Sequence, residues 1–319
     1  MKALILGDVD YLENGLSVAN GLQNLDIESG FFSYQTFLLR YGQNELKRMI
    51  FMLLETHKPK WIFYQCGYNP LPPEWFGEMK SICPDSKISL TSTNIMDGFD
   101  DVIFATGKYI DVCFQRGGRE RYLSRGLNCH ILQTGYSDLL FYEKDDQKIL
   151  DIVFAGSNSV QQSLAAQERI DMMKYLCHKF NGMKVFGTGW ENVLPPEHFG
   201  GFVELSRIND IYNTSKIILN INSHNDIEHY WSARMIEGMA SGNMMLTKYV
   251  PGLENYFKNF EEIVWFYSLW DCIWLLEYYL IHEHERELIA KKGRLVVQRD
   301  FRWEVIMKKA YDILFPKIS

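Results

Sequence analysis

The chain has no Cys-x-x-Cys pair, no long apolar run, no excess of positive charge and no low-complexity tract. Each absence removes a class of protein. Its six cysteines (Cys66, Cys83, Cys113, Cys129, Cys177 and Cys272) are scattered and mostly sit in apolar runs, where a thiol packs as a small hydrophobe. That excludes a disulfide scaffold and a zinc ribbon, and reads as a reduced, cytoplasmic protein. The opening "MKALILGDVDYLENG" carries one lysine and a short apolar run before Gly7 and Asp8, too short for a signal segment. No stretch approaches the ~18 apolar residues that read as a membrane span, so no membrane span is expected. A net charge of -7 gives no overall pull toward nucleic acid or anionic lipid. A nucleic-acid partner is neither suggested nor excluded by charge.

What is present is ordinary globular composition: 319 residues, 47% hydrophobic and 23% charged. That length accommodates two domains of about 150 residues. Short apolar runs alternate with stretches of helical period, the pattern of parallel strands covered by helices. In the first half strands are predicted over 2 to 7, 60 to 66, 87 to 92, 101 to 106 and 129 to 135. Helices are predicted around 15 to 25, 44 to 57, 72 to 80 and 107 to 126. The polar segment "FYEKDDQKILD" reads as a linker. Beyond it, strands are predicted over 151 to 156, 183 to 187, 216 to 222, 243 to 247 and 262 to 267. The helices between them fall near 160 to 180, 205 to 215, 230 to 241 and 269 to 298. The fold class expected is α/β, with two Rossmann-like doubly wound domains facing across a cleft, 1–143 and 144–300, and a terminal amphipathic helix, 301–319, crossing back. In such sheets ligands bind beyond the carboxyl ends of the strands.

Three segments carry candidate chemistry. In "DIVFAGSNSVQQSL" a strand runs into Gly156, Ser157 and Asn158 ahead of a helix. A small turn there leaves N–H groups for an anion, although a plain strand-to-helix turn is the simpler reading. "VFGTGWEN" repeats the pattern with Gly187 and Thr188, without the full dinucleotide spacing. In "IEHYWSARMIEGMASGNMML" Arg234, Glu237 and Ser241 lie three and four apart and share a helix face. A carboxylate so placed accepts hydrogen bonds from ribose hydroxyls, and an arginine one turn earlier meets a phosphate or holds that carboxylate. The alternative is a solvated i,i+3 ion pair. Met235, Ile236, Met239 and Ala240 around the pair, and Gly242 and Asn243 leading into a strand, argue against it.

Residues 215 to 294 resemble the C-terminal domain of GT-B glycosyltransferases, in the glycosyl transferases group 1 branch that includes spore-maturation-type proteins. The matching features are a strand ending in Asn-Ile-Asn, the Arg-x-x-Glu-Gly-x-Ala-Ser-Gly helix, the Pro-Gly-Leu-Glu segment and "YYLIHEHERELIAKKG". "DDVIFATGKYIDVCFQRGG" and "LQTGYSDLLFY" resemble the end of that family's first domain.

The resemblance implies an enzyme that moves a sugar from a nucleotide-sugar donor, expected to be a UDP-sugar, to an acceptor hydroxyl. The second domain would hold the donor. Glu237 would bind its ribose and Arg234 precede it as in this branch. Gly242 and Asn243 would lie against the donor, the Gly156 to Asn158 loop would face the phosphates, and Gly201 to Val203 would meet the base. No metal and no cofactor are implied, because helix dipoles and basic side chains offset the diphosphate charge. Many retaining relatives have a Glu-x7-Glu pair; here His229 stands eight residues before Glu237 and Glu228 nine. One residue of slip turns a helical side chain by about 100°, so Glu228, His229 and Tyr230 all stay candidates for the sugar-facing place, and retention is not fixed.

In the first domain Gly7, Asp8, Asp10, Asn14 and Gly15 sit where a phosphate or acceptor would approach closely. Asp97 is a candidate general base for the acceptor hydroxyl. His282 and His284 are two apart on a solvated helix and do not converge on a metal. The altered glutamate spacing keeps a second function class in play, a GT-B-like module that binds nucleotide or glycan without turnover. The acceptor remains open among a glycan, a protein, a metabolite and a hydroxymethylated DNA base of the phage type.

Overall fold

The computed structural model describes residues 1–7, 12–67, 69–92, 99–158 and 164–316, and packing divides the chain into two compact units. The first contains Met1–Gln133 with Trp303–Ser319, the second Thr134–Arg302. The boundary falls earlier than 143, and the terminal helix belongs to the first unit.

In unit 1 the order is β1 (Lys2–Gly7), α1 (Leu12–Gln23), β2 (Glu28–Ser33), α2 (Tyr34–His57), β3 (Trp61–Cys66), α3 (Pro73–Ile82), β4 (Lys87–Ser92), α4 (Phe99–Gly107), β5 (Val112–Gln115), α5 (Arg119–Leu123) and β6 (Cys129–Ile131). The strands form a parallel sheet in the order β2-β1-β3-β4-β5-β6. Central β3 is buried along its whole length, as a parallel strand covered on both faces must be.

Three sequence expectations are corrected here. Residues 101 to 106, expected as a strand, belong to α4. Asp100, Ile103 and Thr106 are its buried positions, a spacing of three that belongs to a helix and not to an alternating strand. Tyr122 donates a hydrogen bond to Asp100 (3.2 Å), which anchors the first turn. The expected helix over 107 to 126 contains β5, a four-residue strand buried on both faces and therefore without alternation. The edge strand β2 was not expected, since "ESGFFS" is short and half-exposed.

Unit 2 runs β7 (Leu150–Ala155), α6 (Leu164–Lys179), β8 (Met183–Phe186), β9 (Phe199–Gly201), α7 (Leu205–Asn213), β10 (Ser215–Asn220), α8 (Ala233–Ala240), β11 (Met244–Lys248), β12 (Val264–Phe266), α9 (Leu269–Ile281) and α10 (Glu283–Asp300). Its sheet is also parallel, in the order β12-β11-β10-β7-β8-β9. The helix expected over 269 to 298 breaks at His282, whose backbone is not helical and whose ring stacks on Tyr278 with centroids 3.7 Å apart. A capping box between Ser268 and Asp271 fixes the start of α9. Strand β9 was missed because two of its three residues are glycine.

The last helix, α11 (Trp303–Leu314), lies on α1 within unit 1. Gly21 makes that approach possible: a Cβ there would come within 2.9 Å of the Trp303 and Glu304 backbone. Asn24 donates to Glu304 (3.0 Å), and Tyr311 and Phe315 pack on Trp61.

Candidate functional site

The loops after β7, β8 and β9 are tied into one rim. Gly156 N–H donates to the Phe186 carbonyl (2.8 Å), Asn158 N–H to Thr188 (2.8 Å) and Gly187 N–H to Gly201 (2.9 Å). The Trp190 indole donates to the Gly156 carbonyl (2.7 Å), and the Asn158 amide donates to Gly189 (3.1 Å). Gly187, at φ +128°, sits where a Cβ would lie 2.6 Å from the Gly156 carbonyl carbon. The structure therefore brings Gly156, Ser157, Asn158, Gly187 and Thr188 together, as the sequence suggests. It also uses up two of the N–H groups expected to face an anion. Among the described loop residues, no hydrogen bond engages the Ser157 N–H.

Positive charge replaces them. A Cβ on Gly156 would lie 2.5 Å from an Arg234 nitrogen and 2.7 Å from its Cζ, so the glycine makes room for the guanidinium. Arg234 stands on the first turn of α8, its guanidinium 4.7 Å from the Phe154 ring centroid and donating to Asn220 Oδ1 (2.9 Å). Asn220 and Asn222 anchor this helix start: Asn222 Oδ1 accepts from Ser232 N–H (2.9 Å) and Asn220 Oδ1 accepts from the Ser232 hydroxyl (3.2 Å). Ser232 is extended, which is why α8 begins at Ala233 and not near 230.

A second arginine, which sequence reasoning missed, completes the cluster. Arg169 on α6 is 4% exposed, donates to the Ser157 carbonyl (3.2 Å), and buries its Nε without a partner among the described residues. Burial first, and then the charge of Arg234, push it down to about 10; burial likewise lowers Arg234. Its signal in the sequence was periodicity: Met172, Met173 and Leu176 follow it at three, four and seven residues, and all are buried.

Glu237, 7% exposed, lies close enough to Arg234 to raise the arginine's affinity for its proton, and its charge helps burial raise the Tyr212 phenol. Tyr230 is buried and within electrostatic reach of both arginines. Glu228 is exposed and 3.4 Å from His229 Nε2. His229, at φ +64°, donates its N–H to the Pro251 carbonyl (2.8 Å) and lays its ring over Gly252. Of the three candidates for the sugar-facing place, only Tyr230 joins the arginines.

Gly242 and Asn243 lie at the far end of α8. A Cβ on Gly242 (φ +81°) would meet the Glu143 side chain at 2.9 Å. Asn243 donates to the Tyr212 carbonyl (2.8 Å) and accepts from Lys148 (2.6 Å). Their contacts are with the linker and α7, so the structure groups neither with the glycine rim. Val203 follows β9, half-buried beside exposed Phe202. Gly15 lies inside α1 against the Phe31 ring, in unit 1. Asp97, and the Asp-x-Asp pair Asp8 and Asp10, lie outside the described residues. Among the described residues no three His, Cys, Asp or Glu side chains form a group able to hold a metal.

Two six-stranded parallel sheets, with a glycine rim and an Arg-x-x-Glu helix in the second, define the class: the chain has the fold of the GT-B glycosyltransferases. Residues 169–312 match the family described as "Glycosyl transferase-like". Among solved structures it resembles sucrose-phosphate synthase from Thermosynechococcus elongatus, at 12% identity and TM-score 0.69, covering 99% of each chain. It also resembles Anabaena Alr3699/HepE in complex with UDP, at 11% identity and TM-score 0.65, covering 98% of this chain and 99% of the other. The lipopolysaccharide outer core galactosyltransferase WaaB aligns at 11% identity and TM-score 0.62 over the full length of both chains. The chain has no significant sequence match among curated proteins.

Proposed function

We propose that unit 2 binds a nucleotide-sugar donor, a UDP-sugar, and that the enzyme transfers the sugar to an acceptor hydroxyl. The observation that carries this reading is the convergence of Arg169 and Arg234 on the Gly156–Asn158 turn. Two guanidiniums lowered by burial, one of them further by the charge of the other, are costly without an anion, and a diphosphate supplies about two to three negative charges at that place. As the glycosidic bond to the donor breaks, charge grows on the leaving phosphate. Preset cations in a site shielded from water stabilise that charge without reorganising. Glu237 sits one turn beyond Arg234, where a carboxylate accepts hydrogen bonds from both ribose hydroxyls. Of the candidates for the sugar-facing place, Tyr230 is the one within electrostatic reach of both arginines, and we assign that place to it. The likeness to HepE, solved with UDP, with UDP and glucose and with UDP-glucose, supports the choice of nucleotide. No resident metal or cofactor is invoked. Unit 1, with Gly15 and Asp97, is proposed as the acceptor side.

The exposed Glu228 and the pinned His229 favour one second reading, a module that binds the donor and leaves it intact. Calorimetry with UDP and GDP, followed by nucleotide-release assays with UDP-glucose, UDP-galactose and UDP-N-acetylglucosamine, separates the two. We expect UDP binding, and a loss of at least tenfold in affinity for Arg234→Ala and Glu237→Ala, about 1.4 kcal/mol or more each. UDP binding without release from any donor, in water or with hydroxylated acceptors, establishes the binding module. Absence of UDP binding overturns both.

A further inference from the structure

Helix α9 carries rings at every fourth position, Trp270, Trp274 and Tyr278, and His282 continues the series at the residue that ends it. A helix that only packs against a core would bury such a stripe, yet Trp270 is 69% and Trp274 61% exposed. Three of the rings are stacked on one another, Trp274 on Tyr278 at 5.6 Å and 21°, and Tyr278 on His282 at 3.7 Å and 11°. The pile ends in an open indole. Beside it lies a cavity of about 400 Å³ with Phe260, Leu275, Leu288 and Ile289 in its lining. One carboxylate, Glu285, lines it too, held in place by the Tyr278 hydroxyl at 3.0 and 3.1 Å. Among the described residues Glu285 has no cationic partner. The cavity shares no residue with the arginine site.

We propose that this cavity is a second, saccharide-binding site. A pyranose has one face of C–H bonds whose partial positive charge suits the electron-rich face of an indole, and hydroxyls at its rim that donate to a carboxylate. The cavity offers that pair of surfaces: an open Trp274 ring and a prepositioned Glu285. Its size, toward the lower end of the ~300–1,000 Å³ of ligand pockets, holds one or two sugar residues. Alternatives fit less well. A nucleic acid or an anionic bilayer needs cations, whereas the charges along α9 and the start of α10 are Asp271, Glu277, Glu283, Glu285 and Glu287, with Lys179 and Arg286 committed to Glu277 and Glu283. An ammonium ion is held by rings standing around it on several sides, and three of the four rings here are piled face to face. The proposal rests on the glycosyltransferase reading only for the kind of ligand that the protein meets, which is a growing or finished glycan.

Intrinsic tryptophan fluorescence and saturation-transfer NMR on the full chain, with maltotriose, cellotriose, chitotriose and choline as probes, test it. At least one trisaccharide should bind with a dissociation constant of about 1 mM or tighter. Trp274→Ala should weaken it tenfold or more and Glu285→Gln three- to tenfold, while both variants bind UDP as the unaltered protein does. Both side chains lie at the surface, so neither change threatens folding. The proposal is overturned if no saccharide binds, if saccharide binding survives Trp274→Ala, or if choline binds in preference to all three sugars. Loss of UDP binding in the unaltered protein would defeat the donor assignment and leave this site standing.

Discussion

At the scale of single residues, the anion-binding role proposed for Arg169 trades stability for a ligand site. A guanidinium that burial lowers from its ordinary range to about 10 is penalised for its charge at every lower pH. Because the folded value is the lower one, the unfolded chain holds more protons from about 10 up to the ordinary arginine value, and the penalty fades only as pH rises through that window. At neutral pH it is present in full. Arg169→Met, similar in length and apolar, should therefore stabilise the free protein by about 1–2 kcal/mol. The same variant should bind UDP at least tenfold more weakly. Thermal melts with and without UDP check both halves, and a melting temperature that falls in the free variant would show the arginine to be a structural brace. The reading of the sequence singled out Arg234 and Glu237 because an Arg-x-x-Glu on an otherwise apolar helix is conspicuous. It passed over Arg169 because Gln-Glu-Arg looks solvated unless the methionines one turn later are counted with it. Asn243 misled in the opposite direction: a carboxamide beside a glycine turn reads as a ligand group, but Tyr212 and Lys148 occupy it.

At the scale of elements, the strands buried on both faces at the centres of the sheets were legible, since β1, β3, β7, β10 and β11 contain continuous apolar runs bounded by small or polar residues. The failures gathered where a run was too short to show a period. "DVIFAT" in α4 and "VCFQ" in β5 are apolar in every frame, and only packing decides between them. One ion cluster helps to decide it. Asp111, just before β5, accepts from Lys80 at the end of α3 (2.6 Å), from Lys87 at the start of β4 (3.2 Å) and from Ile88 N–H (2.8 Å). Burial alone raises this carboxyl, and the three donors outweigh it and hold it below its ordinary 3.8. An acid depressed in the fold contributes stability above 3.8 that is lost as pH falls through the lower folded value. Asp111→Asn should thus cost about 1–2 kcal/mol at pH 7. The difference from the unaltered chain should close on acidification below pH 3.8, which urea titrations across the acid range measure directly. A constant gap at all pH would mean that the carboxylate charge is irrelevant to this corner.

At the scale of the whole chain, the division into two units separates the two roles proposed for donor and acceptor. Tandem βα repetition was enough to read two sheets, but not to place α11, whose amphipathic face fits any apolar surface offered to it. Its partner is settled by Gly21, because only a residue without a side chain lets the Trp303–Glu304 backbone come so near α1. Valine there must push the helices apart, at a cost of about 1–3 kcal/mol. If UDP is held by unit 2 alone, that damage stays in unit 1. Gly21→Val should lower the temperature at which unit 1 melts, read from hydrogen exchange across β1 and β3, while UDP affinity measured by calorimetry below that temperature changes by less than about twofold, under 0.5 kcal/mol. A parallel loss of UDP binding would mean that the first unit contributes to the donor site, and the assignment of the nucleotide to Arg169, Arg234 and Glu237 alone would have to be abandoned.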